Sequence, residues 1–148
     1  MVNSLVLCCL SLFYMSYSEM LARRDLALMQ GRWEPIFIEG ALRREDRGRL
    51  YSSHFVIKGE KWILLTLDET GKYVEYPKRL RLRLHPLRQP KAIDLFDPDD
   101  PKWIGPGIYD LGQYVLVIKH NPEGPGGRPK DFSPIDNSCI LTVLRRLK

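Results

Sequence analysis

Reactive and metal-ligating residues are scarce in this chain. Its histidines, His54, His85 and His120, fall in separate segments, and none has a partner at a ligand spacing such as H-x-x-x-H. A metal centre would need them to converge in space, so no metal site is expected. Cysteine is equally sparse. Cys8 and Cys9 sit in the apolar N-terminal stretch and Cys139 stands alone near the other end, which leaves no set of cysteines for an internal disulfide framework. Cys139 reads as a small buried side chain opening an apolar strand. No Gly-x-Ser-x-Gly is present for a serine nucleophile, and Cys139 has no evident His and Asn partners. Gly124-Pro125-Gly126-Gly127 lacks the Gly-Lys-Ser/Thr ending of a phosphate loop. Asp97, Asp99 and Asp100 offer carboxylates, but prolines stiffen the segment and the Gly and later Glu of a calcium loop are missing, so a solvated turn is expected. No pair of carboxylates is nominated for glycoside chemistry. These absences give no catalytic residue and no cofactor, and the expectation is a protein that is not an enzyme.

Long hydrophobic runs are missing too. A spanning helix needs ~20 apolar residues, and the longest run, Leu5 to Tyr14, is shorter. Residues 1–18 carry no charged side chain, and Ser16-Tyr17-Ser18 sets small residues at the −3 and −1 positions of a cleavage site before Glu19. That is the shape of a secretory signal peptide, although its start has no Lys or Arg. Export to the periplasm, cell envelope or extracellular space is therefore expected, with a buried or amphipathic N-terminal helix or an uncleaved anchor as alternatives. A lipoprotein reading of Cys8 or Cys9 fits less well, because Leu7 stands where a small residue is wanted. The organisation expected is a signal peptide over 1–18 and one domain over 19–148. The formal charge of +5 belongs to that domain, an excess that permits contact with anionic surfaces without demanding it.

Gly and Pro, eleven each, and a hydrophobic share of 44% suit many short elements around a packed core. Glu19 to Met29 reads as a short helix with Leu21, Leu26, Leu28 and Met29 as core contacts. Arg32 to Glu39 is a strand in which Pro35 marks an edge or a bulge. Gly40 to Tyr51 is a charged connection with some helix. His54 to Lys58, Lys61 to Leu67 and Lys72 to Tyr76 follow as strands across tight turns, the rhythm of a β-meander. Arg79 to His85 alternates most clearly, with Leu80, Leu82 and Leu84 on one face and Arg79, Arg81, Arg83 and His85 on the other. Lys91 to Phe96, Trp103 to Leu111, Gln113 to His120 and Ser138 to Leu147 complete eight or nine strands, with Asn121 to Pro129 as a surface loop. A Gly31-x-Trp33 start and a cationic last strand are expected to lock the barrel, with Arg145 lying across the Trp33 ring. Such a cation–π contact contributes roughly 0.5–2 kcal/mol.

Asp25, Leu28-Met29-Gln30-Gly31-x-Trp33, Pro90-Lys91-Ala92-Ile93-Asp94-Leu95, Gly107-Ile108-Tyr109-x-Leu111, Arg128-Pro129-x-x-Phe132 and Leu144-Arg145-Arg146 occur in this order. In that order and spacing the chain resembles a family of short, usually exported, lipocalin-like domains abundant in planctomycetes and without an assigned activity. Arg32, where Thr is common, and the basic strand from Lys78 to His85 depart from the family pattern. The resemblance implies an all-β, calycin-type fold, a small antiparallel lipocalin-like β-barrel with a short N-terminal helix, and export. It supplies no activity.

The leading functional expectation is a binding domain that holds a small apolar or amphipathic ligand in the barrel. Trp62, Tyr73, Tyr109 and Tyr114 are its candidate lining residues, although aromatics more often simply fill a small barrel. The alternative is a cell-envelope interaction module with a filled barrel, contacting anionic partners through the 78–85 strand. Arg79, Arg81 and Arg83 would then form a stripe at ~6.6–6.8 Å intervals. A solvated outer face is the plainer reading of those arginines. Nucleic acid is not expected, because no stacking aromatics are interleaved with them.

Overall fold

Among the described residues the alternating pattern resolves into nine strands, and every pair of neighbours runs antiparallel. The computed structural model describes residues 15–123, 127–134 and 138–148; the apolar run with Cys8 and Cys9, and positions 124–126 of the glycine-rich loop, lie outside them. The strands are β1 (Gly31–Gly40), β2 (His54–Lys58), β3 (Lys61–Leu67), β4 (Tyr73–Glu75), β5 (Leu80–His85), β6 (Ala92–Asp97), β7 (Asp100–Leu111), β8 (Val115–His120) and β9 (Ile140–Arg146). Each barrel strand pairs with the next in sequence, β9 returns to β1, and β4 hangs on β3 outside the ring. The result is a closed eight-strand lipocalin-like β-barrel. Closure removes the free edges that an open sheet would expose.

Local sequence sets most of these elements. Pro35 cannot donate to a ladder, and the β1–β9 register shifts between Pro35 and Phe37, so this strand inside the ring accommodates it with a bulge. In β5, Leu82 and Leu84 are buried while Arg81 and Arg83 are exposed. The arginine face therefore points outward. The acidic segment at Asp97 is tighter than expected, and β7 starts at Asp100 instead of Trp103. Asp97 Oδ1 accepts from Asp99 N at 2.9 Å and Asp100 Oδ1 from Lys102 N at 3.2 Å, which folds the turn directly into the hairpin.

Among the described residues, two helices close the ends. Helix α1 (Tyr17–Met29) begins two residues before the expected start because Ser16 and Glu19 form a reciprocal capping box. Its inward face is Ala22, Asp25, Leu26 and Met29, whereas Leu28 is 55% exposed. The expected contact at Leu28 is thus replaced by a carboxylate, Asp25, one turn before Met29. Helix α2 (Arg44–Tyr51) occupies the charged connection and carries Glu45 and Asp46 in its first turn, where the helix dipole favours them. The Tyr51 hydroxyl accepts from Ile38 N at 2.9 Å and so docks α2 on β1.

The floor under α1 is locked by Trp33 and the last strand. Trp33 is fully buried, and its Nε1 donates to Met29 O at 2.9 Å. The cation over its ring is Arg146, at 4.2 Å, and not Arg145. Strand alternation explains the correction: Arg146 is the register partner of Trp33, while Arg145 is that of Glu34 and pairs with its carboxylate. Arg146 also donates to Gln30 O at 2.6 Å and to Leu28 O, bonding the end of the chain to the end of α1.

Candidate functional site

Buried and half-buried polar residues gather in two places outside the barrel mouth, and both serve the framework. Asp25 of α1 accepts from Lys91 Nζ at 2.8 Å, from the Tyr109 hydroxyl at 2.8 Å and from Arg24 Nη2 at 3.1 Å. Burial alone would raise its pKa, but these hydrogen bonds outweigh it and hold the carboxyl below its usual range. Burial, and then the Asp25 carboxylate, push the Tyr109 hydroxyl up, so it stays a protonated donor. On the outer wall, Arg128 donates to Ile93 O at 3.0 Å, to Gly107 O at 2.6 Å and to Asp94 Oδ1 at 2.6 Å. His85 Nε2 meets Asp94 Oδ2 at 2.8 Å. Burial again opposes ionisation of Asp94, and the Arg128 and His85 hydrogen bonds overcome it and lower its pKa. Arg128 thus ties the loop before β9 to β6 and β7. The motif residues Asp25, Lys91, Asp94, Tyr109 and Arg128 are all engaged in these two networks.

A cavity of about 160 Å³ lies inside the barrel at the opposite end, beneath Leu50 of α2. Phe55, Trp62, Leu80, Leu95, Ile118 and Ile140 give it apolar walls, and Thr142 and His120 bring polar groups. Phe55 and Trp62 meet at 5.1 Å between ring centroids, tilted by 47°. On their far side a hollow of about 140 Å³ shares Phe55, Trp62 and Leu80 and reaches Leu64, Tyr76 and Lys78. This hollow lies where the ring is least zipped. Strands β3 and β5 pair at two positions, Lys61 with Arg81 and Trp62 with Leu80, before β3 turns to β4. Lys78 caps the gap, 4.6 Å over the Trp103 ring and 3.6 Å from Asp97. Larger hollows of about 350 Å³ between α1 and β5, and about 630 Å³ beside the β7–β8 turn, are open depressions. They take less ligand surface out of water than a site enclosed by the barrel.

One of the two polar members of the cavity is His120, the last residue of β8. Its place follows from alternation: Leu116, Ile118 and His120 point inward. Gly107 of β7 pairs with His120, and a Cβ at Gly107 would stand 2.9 Å from His120 Cβ and 2.7 Å from Lys119 O. Glycine alone admits this close approach. The His120 residue as a whole is part-exposed, but its Nδ1 is buried and has no hydrogen-bond partner among the described residues. Burial pushes its pKa down to about 4, so the imidazole is neutral at physiological pH.

The sequence candidates do not converge. Trp62 alone of the four aromatic candidates lines the cavity. Tyr109 belongs to the floor, bonded to Asp25. Tyr73 lies on the outside of β4, stacked on His54 at 4.3 Å with Arg32 at 4.8 Å from its ring. There His54 accepts from Arg32 Nε at 2.8 Å, and burial and then the Arg32 charge lower its pKa. Tyr114 is 62% exposed near the β7–β8 turn, at the floor end. The reason is the sheet's two-residue period: tyrosines on different strands share an interior only when their registers agree. The arginines point outward, and each has a contact of its own. Arg79 pairs with Glu75 at 2.7 Å, Arg81 with Glu60 at 3.4 Å, and Arg83 lies 5.4 Å from the Phe96 ring. His120, expected only as the entrance to a loop, is the residue the sequence reading missed. The inward alternation of β8 carried the signal.

Cys139 is buried. Among the described residues, no group of three or more His, Cys, Asp or Glu side chains is placed to hold a metal ion, and no helix is long and apolar enough to cross a membrane. Compared with protein-family models, with curated proteins and with solved structures, the chain matches none of them.

Proposed function

We propose that this protein is a non-enzymatic, exported binding domain that holds a small apolar or amphipathic ligand at the end of the barrel covered by α2. One observation carries the reading: the apolar cavity of about 160 Å³ bounded by Trp62, Phe55, Ile118 and Leu50 inside an otherwise filled barrel. An engineered apolar cavity of about 150 Å³ in another protein accepts a benzene-sized molecule, so this one suits a ligand of that scale. Enclosing such a ligand removes its apolar surface from water at roughly 25 cal/mol per Å². Export is supported by the uncharged apolar N-terminal run and by the resemblance to exported lipocalin-like domains. That resemblance adds no ligand, because its motif residues serve the floor and the outer wall.

Native mass spectrometry of the protein purified without added ligand, followed by solvent extraction, tests the proposal. A reproducible extra mass of one small apolar molecule is the expected result. A clean apo mass, together with no tryptophan fluorescence change across a panel of small apolar compounds, overturns it. Salt-sensitive binding to anionic vesicles, lost when Arg79, Arg81 and Arg83 become Ser, would then favour the envelope-contact reading.

A further inference from the structure

We propose that the cleft between α1 and β5 takes an extended peptide, added as a short strand to the open edge of β5, with an apolar residue followed by an acidic one. The cleft holds about 350 Å³, within the ~300–1,000 Å³ of ordinary ligand clefts, and lies apart from the cavity under α2. Leu82, Arg83, Leu84 and His85, consecutive in β5, all border it. Side chains of a strand alternate between its faces, so a hollow that touches all of them runs along the strand's edge.

That edge has no neighbouring strand. Strand β3 pairs with β5 at Lys61–Arg81 and Trp62–Leu80, and beyond these one bond remains, from Leu82 N to Glu60 O at 2.8 Å. Because the Leu82 amide points away from β6, alternation turns the Leu84 N–H and C=O the same way. Among the described residues nothing pairs with them. Helix α1 stands across the cleft in place of a strand, and it is bonded to the barrel elsewhere, through Asp25 to Lys91 and Tyr109.

The open edge dictates what fits. A residue opposite Leu84, in a segment antiparallel to β5, exchanges two hydrogen bonds with it. Opposed residues point to the same face, so its side chain turns inward with Leu84, toward Ala22 and Leu26. That position calls for an apolar side chain. The next residue of the segment lies opposite Arg83 on the outer face. Arg81 already holds Glu60 at 3.4 Å, whereas Arg83 meets the Phe96 ring and has no carboxylate partner among the described residues. An acidic side chain there completes the pair. The acidic residues that border the cleft are engaged, Glu60 by Arg81 and Glu19 by the Ser16 cap. Main-chain bonds then supply affinity, and the alternating side chains supply selectivity.

N-acetyl-Thr-Leu-Glu-amide is the probe, followed by ¹H–¹⁵N NMR and amide exchange on the full chain. In the free protein the Leu84 amide should exchange faster than that of Arg83, which bonds to β6. Adding the peptide at millimolar concentration should shift the Leu84 amide and slow its exchange. Methylating the peptide's Leu nitrogen, which removes the N–H aimed at Leu84 O, should weaken binding about fivefold. Replacing the peptide's Glu by Gln should cost roughly threefold in the wild-type protein and nothing in Arg83→Ser. A Leu84 amide as protected as Arg83 in the free protein overturns the proposal, because the chain itself then occupies the edge. An unmoved Leu84 amide at millimolar peptide overturns it too, whether or not the peptide binds elsewhere. Equal Glu and Gln affinities in the wild-type protein overturn the acidic preference and leave the strand addition standing.

Discussion

The two ends of this barrel are built on opposite principles. At the floor, Asp25 has three partners, the Trp33 indole has Met29 O, and the Arg146 guanidinium reaches three carbonyls as well as the Trp33 face. At the other end lie Arg47 Nε of α2 and His120 Nδ1, the buried side-chain polar atoms without a hydrogen-bond partner among the described residues. The cavity lies there too, under a short helix with no buried residue. Satisfied buried networks rigidify a structure, and unsatisfied ones leave it adaptable. The contrast assigns stability to the α1 end, and the proposed function would place recognition at the α2 end.

The largest expected effect is at the floor. Trp33→Ala should destabilise the protein by about 3–5 kcal/mol, read from denaturant unfolding, because it removes a fully buried ring and the platform under Arg146. A loss below about 1 kcal/mol would break the assignment of stability to that end.

Acid comes next, and it probes the other end. The unfolded chain takes up a proton on His120 below about pH 6.5, while in the native state burial holds this pKa down to about 4. Stability is therefore fully present above pH 6.5 and is lost as the pH falls toward 4, by about 3 kcal/mol in total. His120→Leu should remove most of this slope, and His54, whose pKa burial and the Arg32 charge also lower, supplies what remains. The lowered Asp25 and Asp94 act below it, since they lose stability only as the pH falls through the carboxylate range. An undiminished slope in His120→Leu would contradict the assignment of this window to His120.

Neighbouring arginines sharpen the comparison further. Arg146→Ala should cost about 2 kcal/mol, from a cation–π contact and hydrogen bonds donated by a charged group. Arg145→Ala should cost less than about 1 kcal/mol, since Arg145 forms a surface pair with Glu34. Equal losses would contradict the register that separates them. The smallest effect is expected on the outer wall. Replacing Arg79, Arg81 and Arg83 together by Ser should change stability by less than about 1 kcal/mol and leave ligand binding intact, because these side chains are solvated. Loss of binding in that variant would move the site out of the barrel.

How much of this was legible in the sequence depended on how local the cause was. The alternation of β5, the turns around β2 and β3 and the bulge at Pro35 are written in neighbouring residues, and the structure follows them. Arg145 and Arg146 differ by one residue, and only the pairing of β9 with β1 decides which faces Trp33. Asp25 lies on a helix face otherwise formed by Ala22, Leu26 and Met29, but its partners Lys91 and Tyr109 come from distant strands. The cavity depends on long-range geometry of the same kind. Tyr73, Tyr109 and Tyr114 share a residue type with Trp62 but not its place, whereas His120 carried a usable signal in the inward positions of β8.

The most direct test of a ligand site at the α2 end is a ¹H–¹⁵N and ¹H–¹³C NMR titration of the protein with phenol. The account predicts shifts concentrated on Trp62, Phe55, Ile118, His120 and Thr142, with Trp33 and Tyr109 unmoved. Shifts centred instead on Leu28 and Tyr114 at the floor end, or none up to millimolar phenol, would contradict it.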